Sequence, residues 1–490
     1  MRCKFLFLLI LSLYPWLPNV AQIESPDQSD VLARIGPRTI TERDLLERIE
    51  LMPWPGKDQP AMHDSAVTNA ILSLVAEKLI SLEASGVGVG QDKDSRATFA
   101  VLERAFARDE LFRQEIVARV SISSEEIEQA LQRYASELKL AVFAVRSEQD
   151  ARSLVSEFND RSNGTLPSPL RTRILSRDTI TVTCGTLVQA HEDIAYGIAS
   201  VFGARASYTA SSGWLVFHLL DRRPNPAAMK LNLADRRATV ENLLRKRRQA
   251  ELTVHYFNRF IGDGEIRMDS VLFSAMADTL LTLMRRNQDA HRKGTAFGVV
   301  ETDIEELVRV FAREEDRPFV SLRNDTVRFG TILRGMNLHP IQVRSLRTRH
   351  FKEDLNRAMM TVAEAELMSE WAVRQHYNAH PDVRRDLSAW MEAAQTQEMV
   401  KRLLDSLSTQ TGQRRAKPDA GDPLDDYIAA LANKYGVEID FQKVGQLKVV
   451  PFNMVTRRYI GFGGTLPAVP LLPHLWDWYE SWKKGKSATP

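Results

Sequence analysis

Chemistry has few places to reside in this chain of 490 residues, which holds only 2 cysteines and 10 histidines. His376 and His380 stand four apart, the spacing at which two imidazoles on one helix face can share a metal ion. Pro381 follows at once and no third ligand accompanies the pair, so the expectation is a helix end without a metal. Cys184 closes an alternating run, Thr179 to Cys184, and reads as a small buried strand residue rather than a nucleophile. Gly461, Phe462, Gly463 and Gly464 lack the Lys-Ser/Thr of a phosphate loop and read as a flexible turn. Neither a zinc-protease His-Glu-x-x-His string nor a nucleophile elbow occurs. Arg245, Lys246, Arg247 and Arg248 wrap a helix instead of sharing a face, the pattern of a solvated surface. These residues imply no catalytic centre, no metal and no cofactor. Binding is the other possibility. A helix over 270–286 is apolar on nearly every side, so its Phe273, Met276, Leu280 and Met284 are either core or an adaptable wall for client polypeptides.

The ends and the charge narrow the function classes. Arg2 and Lys4 precede an apolar run from Phe5 to Leu17, and small Ala21 offers a cleavage site, so residues 1–21 read as a signal peptide. Nothing downstream is expected to span a bilayer, so a periplasmic or otherwise exported soluble chain is expected. Without Arg2 and Lys4 there are 63 basic against 63 acidic residues, a balance that argues against a nucleic-acid partner. Cys184 is then the sole cysteine, and no internal disulfide can form.

The elements that must carry such a chain are mostly helical. Val31 to Ile35, a Gly36-Pro37 turn and Thr39-Ile40 read as a hairpin, with Thr41 capping a helix that ends near Pro53. Val67, Ala70, Ile71, Leu74, Val75, Leu79 and Leu82 stripe a second helix, and a third runs from about Arg96 to Val117. Ser123 and Glu126 have capping-box spacing before a further helix. From Leu138 to Leu220 the pattern becomes strand, helix and strands, followed by long helices over about 235–261 and 270–286. The opening then recurs. Thr39-Ile40 matches Thr326-Val327 and Pro53 matches Pro340 at an offset of 287; Leu79, Ser81 and Ala84 match Leu367, Ser369 and Ala372 at 288. A repeat of this length implies two copies of a whole domain, with Leu79 and Leu367 buried alike, and Phe112 and Val400 likewise. The expected fold is α+β and predominantly helical. Two related helical modules with short β-hairpins (28–136 and 300–412) enclose a small α/β domain (137–222). Residues 233–290 are expected to complete the first module, leaving 413–490 as linker and tail. In that tail Leu475, Trp476, Tyr479 and Trp482 have helical spacing and should pack on the second module.

The strings VLARIGPRTITERDLLERI and AILSLVAEKLISLEASGVGV resemble the N-terminal domain of the SurA-like, parvulin-type periplasmic chaperones. ELKLAVFAVRSEQDARSLVSEF and GWLVFHLLDRRP resemble the opening and closing segments of a parvulin prolyl-isomerase domain. The resemblance covers roughly residues 30–260, and the second copy extends it to about 410. It implies an ATP-independent chaperone of unfolded exported polypeptides. The family places a histidine in the opening strand and another in the closing strand; here Val142 and Leu215 stand at those positions. Neither can donate or accept a hydrogen bond, so the resemblance implies a degenerate, inactive isomerase domain. An active isomerase and a scaffold for one envelope partner are the alternatives.

Overall fold

The computed structural model describes residues 31–50, 52, 54, 56–160, 172, 174–209, 213–411, 422–450, 457–467, 470 and 472–487. The signal-peptide segment 1–21, Pro53 and most of the linker expected after 412 lie outside the described residues. Two compact units emerge: 116–257 forms one, and 31–115 with 258–487 forms the other.

The chain begins with hairpin β1 (Val31–Ile35) and β2 (Arg38–Thr41), then helices α1 (Glu42–Ile49), α2 (Pro60–Gly86) and α3 (Lys93–Glu115). The sheet unit 116–257 comprises α4 (Ser124–Tyr134), β3 (Ser136–Val145), α5 (Glu148–Asp160), β4 (Ile174–Val182), α6 (Gln189–Tyr196), β5 (Ala204–Thr209), β6 (Gly213–Pro224), α7 (Pro226–Met229) and most of α8 (Leu233–Ile261). The helical unit resumes with β7 (Ile266–Met268), α9 (Ser270–Arg286), α10 (Gln288–His291), β8 (Arg292–Lys293), β9 (Ala296–Gly298) and α11 (Glu301–Val310). It continues through β10 (Pro318–Leu322), β11 (Asp325–Arg328), α12 (Phe329–Gly335), β12 (Gln342–Val343), α13 (Thr348–Arg374) and α14 (Pro381–Thr411). The tail supplies α15 (Pro423–Tyr435), β13 (Val437–Ile439), α16 (Phe441–Gly445), β14 (Arg457–Tyr459), β15 (Thr465–Pro467) and α17 (Trp478–Ser487). Both capping boxes form as their spacing implies. The Thr41 hydroxyl accepts from the Asp44 amide while the Asp44 carboxylate accepts from the Thr41 amide, and Ser123 and Glu126 do the same.

The internal repeat is structural. β1–β2 and β10–β11 are hairpins with one register: Val31 faces Thr41 as Pro318 faces Arg328, both break register at the same place, and Ile35 faces Arg38 as Leu322 faces Asp325. Their turns share a backbone shape, with Gly36 at φ +51° and Arg323 at φ +54°. Only glycine adopts that shape at little cost, so its recurrence at a non-glycine residue marks the two turns as matched. Each hairpin gains a third antiparallel strand on its first member, β13 on β1 and β7 on β10. α2 and α13 are each 27 residues long, and α3 and α14 start at Lys93 and Pro381, the same offset of 288. Leu79 and Leu367 are fully buried equivalents. Phe112 and Val400 are both half-buried instead: Phe112 lies edge-on to Phe462 in the tail, and Val400 packs beside the first copy's core.

The third helices are exchanged between the copies. α3 packs on α13 and α14 on α2, and the two third helices meet each other. The fully buried Arg108 of α3 fixes this crossing. Its guanidinium donates to Ser369 Oγ on α13 at 3.0 Å and to the Gly461 and Gly463 carbonyls at 3.0 and 2.6 Å. The glycine cluster read as a flexible turn is therefore a shaped cradle. A side chain at Gly461 would strike Phe112, and Gly463 sits at φ +114°.

What completes each module differs from the sequence expectation. The tail, read as linker and appendage, finishes the first core: Ile428, Leu431, Ala432, Val437, Val444, Leu447, Trp478 and Trp482 pack with Leu32, Ile40, Leu74 and Leu79. Trp476 and Tyr479 join that first module, not the second. Segment 233–290, assigned to the first module, serves elsewhere. α9 is built into the second core with Phe319, Phe329, Phe351 and Leu355, and most of α8 lies in the sheet unit. The first module also ends before 136, because α4 packs on β3.

Glu364 on α13 carries a testable consequence. Burial pushes its carboxyl from 4.5 up to about 7. Between those values the folded chain keeps a proton that the unfolded chain has lost, so stability falls as pH rises through that window, by about 2–3 kcal/mol. Glu364→Gln removes the ionisation. Urea titrations are expected to show the variant gaining on the unsubstituted chain between pH 4.5 and pH 8; a constant difference across that range contradicts the assignment.

Candidate functional site

The sheet unit is ordered β4–β3–β6–β5, all antiparallel. Alternation along the strands gives it two faces. Ala141, Phe143, Val145, Ala204 and Val216 meet Ala151, Leu154 and Phe158 of α5. Leu138, Leu140, Val182, Phe217 and Leu219 meet Ala195 of α6 and Ile198. Val142 and Leu215 lie on this second face, Val142 opposite Phe217 and Leu215 opposite Ala144. They are diagonal neighbours across two paired strands, close enough for long side chains to meet. Both are hydrocarbon, so the polar centre implied at these positions is missing.

His218 does not replace it. The residue faces Ala141 and Ala204, on the α5 side of the sheet, and its ring stacks on Phe158 at 4.1 Å between centroids. Only 1% of it is exposed, and burial holds its pKa below 6.5. His218 is a neutral aromatic element of the core. Cys184 follows β4 and packs with Ala130 and Val240. Burial and the neighbouring Glu192 carboxylate push its thiol up to about 12, which rules out a thiolate nucleophile at neutral pH. Glu192, wholly buried, accepts from the Gly185 amide at 2.7 Å and pairs through both oxygens with Arg247 of α8, at 3.0 and 2.5 Å. The basic cluster is thus not all solvated surface: Arg247 turns inward to this pair, and Arg248 reaches Glu126 at 2.6 Å.

The residue missed in the sequence is His191, near the start of α6. Its Nδ1 lies 2.9 Å from the Ser207 hydroxyl on β5, and its ring is 5.5 Å from Phe217. It shares the face of Val142 and Leu215, because Ser207 is the strand partner of Leu215. Burial lowers its pKa, so it stays neutral at pH 7. Histidine and serine are 5% and 7% exposed, which denies a substrate carbonyl access to the hydroxyl. The one available signal was a polar residue at the position of α6 that must turn inward.

The proposed client wall fails on burial. Met276, Leu280 and Met284 are each 0% exposed, and Phe273 packs beside the same core, so these four residues form no open wall for a client. The paired histidines separate as well. α13 ends at Arg374, His376 adopts φ +63° in the connection, and α14 starts at Pro381. His380 instead meets Glu110 and Asp382. Arg113 already pairs with Glu110, and Arg43 and Arg385 with Asp382, so the carboxylates are neutralised by guanidiniums and favour no cation.

An open groove of about 690 Å³ runs beside β5, lined by Val155 and Asn159 of α5, Ile194 of α6, and Ile198, Ala204 and Ala206. β5 is an edge strand. At its start the Asn159 side chain caps Ala204, accepting from the amide at 2.8 Å and donating to the carbonyl at 3.3 Å. The backbone of Ala204 therefore points away from β6, and by the period of two so do Ala206 and Tyr208.

No family model matches the chain, and no curated protein does. The solved structures it is similar to include foldases. The foldase protein PrsA of Streptococcus pneumoniae is similar over 46% of this chain and 90% of that one, at 13% identity and a TM-score of 0.19. The peptidylprolyl isomerase PrsA of Bacillus cereus covers 58% and 99%, at 13% and 0.17. PrsA of Lactococcus lactis covers 58% and 99%, at 10% and 0.18. TM-scores of that size assign this chain neither a fold nor an activity.

Proposed function

We propose that this chain is an ATP-independent chaperone of exported proteins that holds extended polypeptide segments along β5, and that its sheet unit does not catalyse prolyl isomerisation. The observation that carries the binding role is the open groove beside an edge strand whose Ala206 and Tyr208 backbone groups point outward. Backbone pairing supplies affinity without sequence preference. Tyr208, Val201 and Phe202 remain exposed nearby, surface that an unfolded client can cover. The catalytic silence rests on Val142 and Leu215. Amide rotation has a barrier of about 18–20 kcal/mol, and two hydrocarbon side chains offer a twisting amide no hydrogen bond. Export to the periplasm or a comparable space rests on the charge and hydropathy of residues 1–21.

One preparation tests both parts. The chain is expected to suppress aggregation of several unrelated unfolded clients while leaving a proline-limited refolding phase at the rate of an unrelated control protein. Ala206→Pro removes an outward donor without taking a ladder bond from β6, and is expected to weaken client holding several-fold with unchanged far-UV circular dichroism. A saturable acceleration of refolding sinks the catalytic part; full holding by the variant sinks the β5 part.

A further inference from the structure

The exchanged helices raise the question of what makes each copy choose the other. Their apolar faces do not decide. Leu74 and Val362, Ile71 and Met359, Leu79 and Leu367, and Ala84 and Ala372 are buried equivalents of similar size, and swaps of similar volume are tolerated in cores. Shape alone would let the first copy pack on another first copy.

The charges do decide. Lys78 of α2 reaches Glu392 of α14 at 2.7 Å, and Arg38 of β2 approaches the same carboxylate at 3.3 Å. At the pseudo-equivalent crossing, Glu366 of α13 meets Arg104 of α3 at 3.6 Å. Lys78 corresponds to Glu366 and Arg104 to Glu392, each at the helix offset of 288; Arg38 corresponds to Asp325 at the hairpin offset of 287. All three positions are basic in the first copy and acidic in the second. These crossings are shielded from water: Glu366 and Glu392 side chains are 2% and 8% exposed, and their partners 18% and 14%. Burial raises the Glu366 carboxyl, and the Arg108 and Arg104 guanidiniums pull it back.

We propose that this inversion is a pairing code. It restricts each module to the unlike copy and bars association of the chain with a second molecule through like copies. First copy on first copy would set Lys78 and Arg38 against Arg104. Second on second would set Glu366 against Glu392. Like charges in shielded contacts repel strongly, the usual way related interfaces reject wrong partners. The proposal rests on the duplication alone and stands whether or not the chain is a chaperone.

Charge exchange in the full-length chain tests it, read by melting temperature and by mass from light scattering. Lys78→Glu places like charges at one crossing and is expected to lower the melting temperature by about 5 °C. Lys78→Glu with Glu392→Lys restores an unlike pair between positions 78 and 392, with Arg38 left beside the introduced lysine, and is expected to recover part of that loss, which also guards against a variant that fails for reasons of packing. Lys78→Glu with Glu366→Lys makes both internal crossings like-charged and like-copy pairing complementary. That variant is expected to melt lowest of the three and to form dimers as concentration rises. The proposal is overturned if the Lys78/Glu392 exchange melts no higher than Lys78→Glu alone. It is equally overturned if the Lys78/Glu366 exchange stays monomeric with the unsubstituted chain's melting temperature.

Discussion

A chain stopped after residue 411 is expected to lose its first module entirely while keeping the sheet unit. The removed tail contributes Ile428, Leu431, Val437, Val444, Leu447, Trp478 and Trp482 to the first core. Each such burial is worth about 1.5–3 kcal/mol, so the seven together, about 10–20 kcal/mol, are as large as the ~5–15 kcal/mol by which whole domains are stable. The losses extend beyond apolar area. β1 forfeits its pairing with β13, Trp478 its indole bond to the Leu72 carbonyl at 3.3 Å, and Glu83 its contacts with Lys434 and Tyr435 at 2.6 and 2.7 Å. Hydrogen exchange read by peptide mass should find residues 31–86 unprotected in the truncated chain and residues 136–224 as protected as before. Protection persisting in β1 and α2 would show that the tail is an ornament after all.

Glu192→Ala is expected to be the most damaging single substitution in the sheet unit. It leaves the mostly buried Arg247 guanidinium without its carboxylate, a change that costs about 3–5 kcal/mol, and it strips an acceptor from the Gly185 amide and the Cys184 thiol. Cys184 reports the result. In a Cys3→Ser background it is the sole thiol, and in the native unit it reacts only when the unit opens. At about 1.4 kcal/mol for each factor of ten, labelling by a thiol reagent should accelerate by roughly two to three powers of ten. An unchanged labelling rate in Glu192→Ala would mean that α8 is held by apolar contacts alone. Glu192→Gln, which keeps the shape and the amide acceptor, should fall between the two.

The sequence makes the repeated elements legible because hairpin and helix periodicity are local. Thr41 and Ser123 announce their helices, and the offset between Leu79 and Leu367 survives into buried equivalence. The partners of those elements are set by distant residues and leave no local mark. α9 reads equally as core or client wall, since an apolar stripe states that a helix needs cover without stating what covers it. The tail reads as an appendage because its aromatic residues stand about 400 residues from the strands they complete. At the candidate site, Val142 and Leu215 are visible as departures from a resembling pattern. His191 is not, because its importance arises only when β5 brings Ser207 beside Leu215.

The helical unit is threaded through the chain in two stretches, and its first strand waits for a partner made near the end of synthesis. Strand β1 precedes β13 by about 400 residues, whereas every strand of the sheet unit finds its neighbours within 116–257. Closing so long a loop delays contact formation. The sheet unit is therefore expected to form early and the first module last, with the N-terminal apolar segments of a newly made chain lacking their tail partners through most of its production.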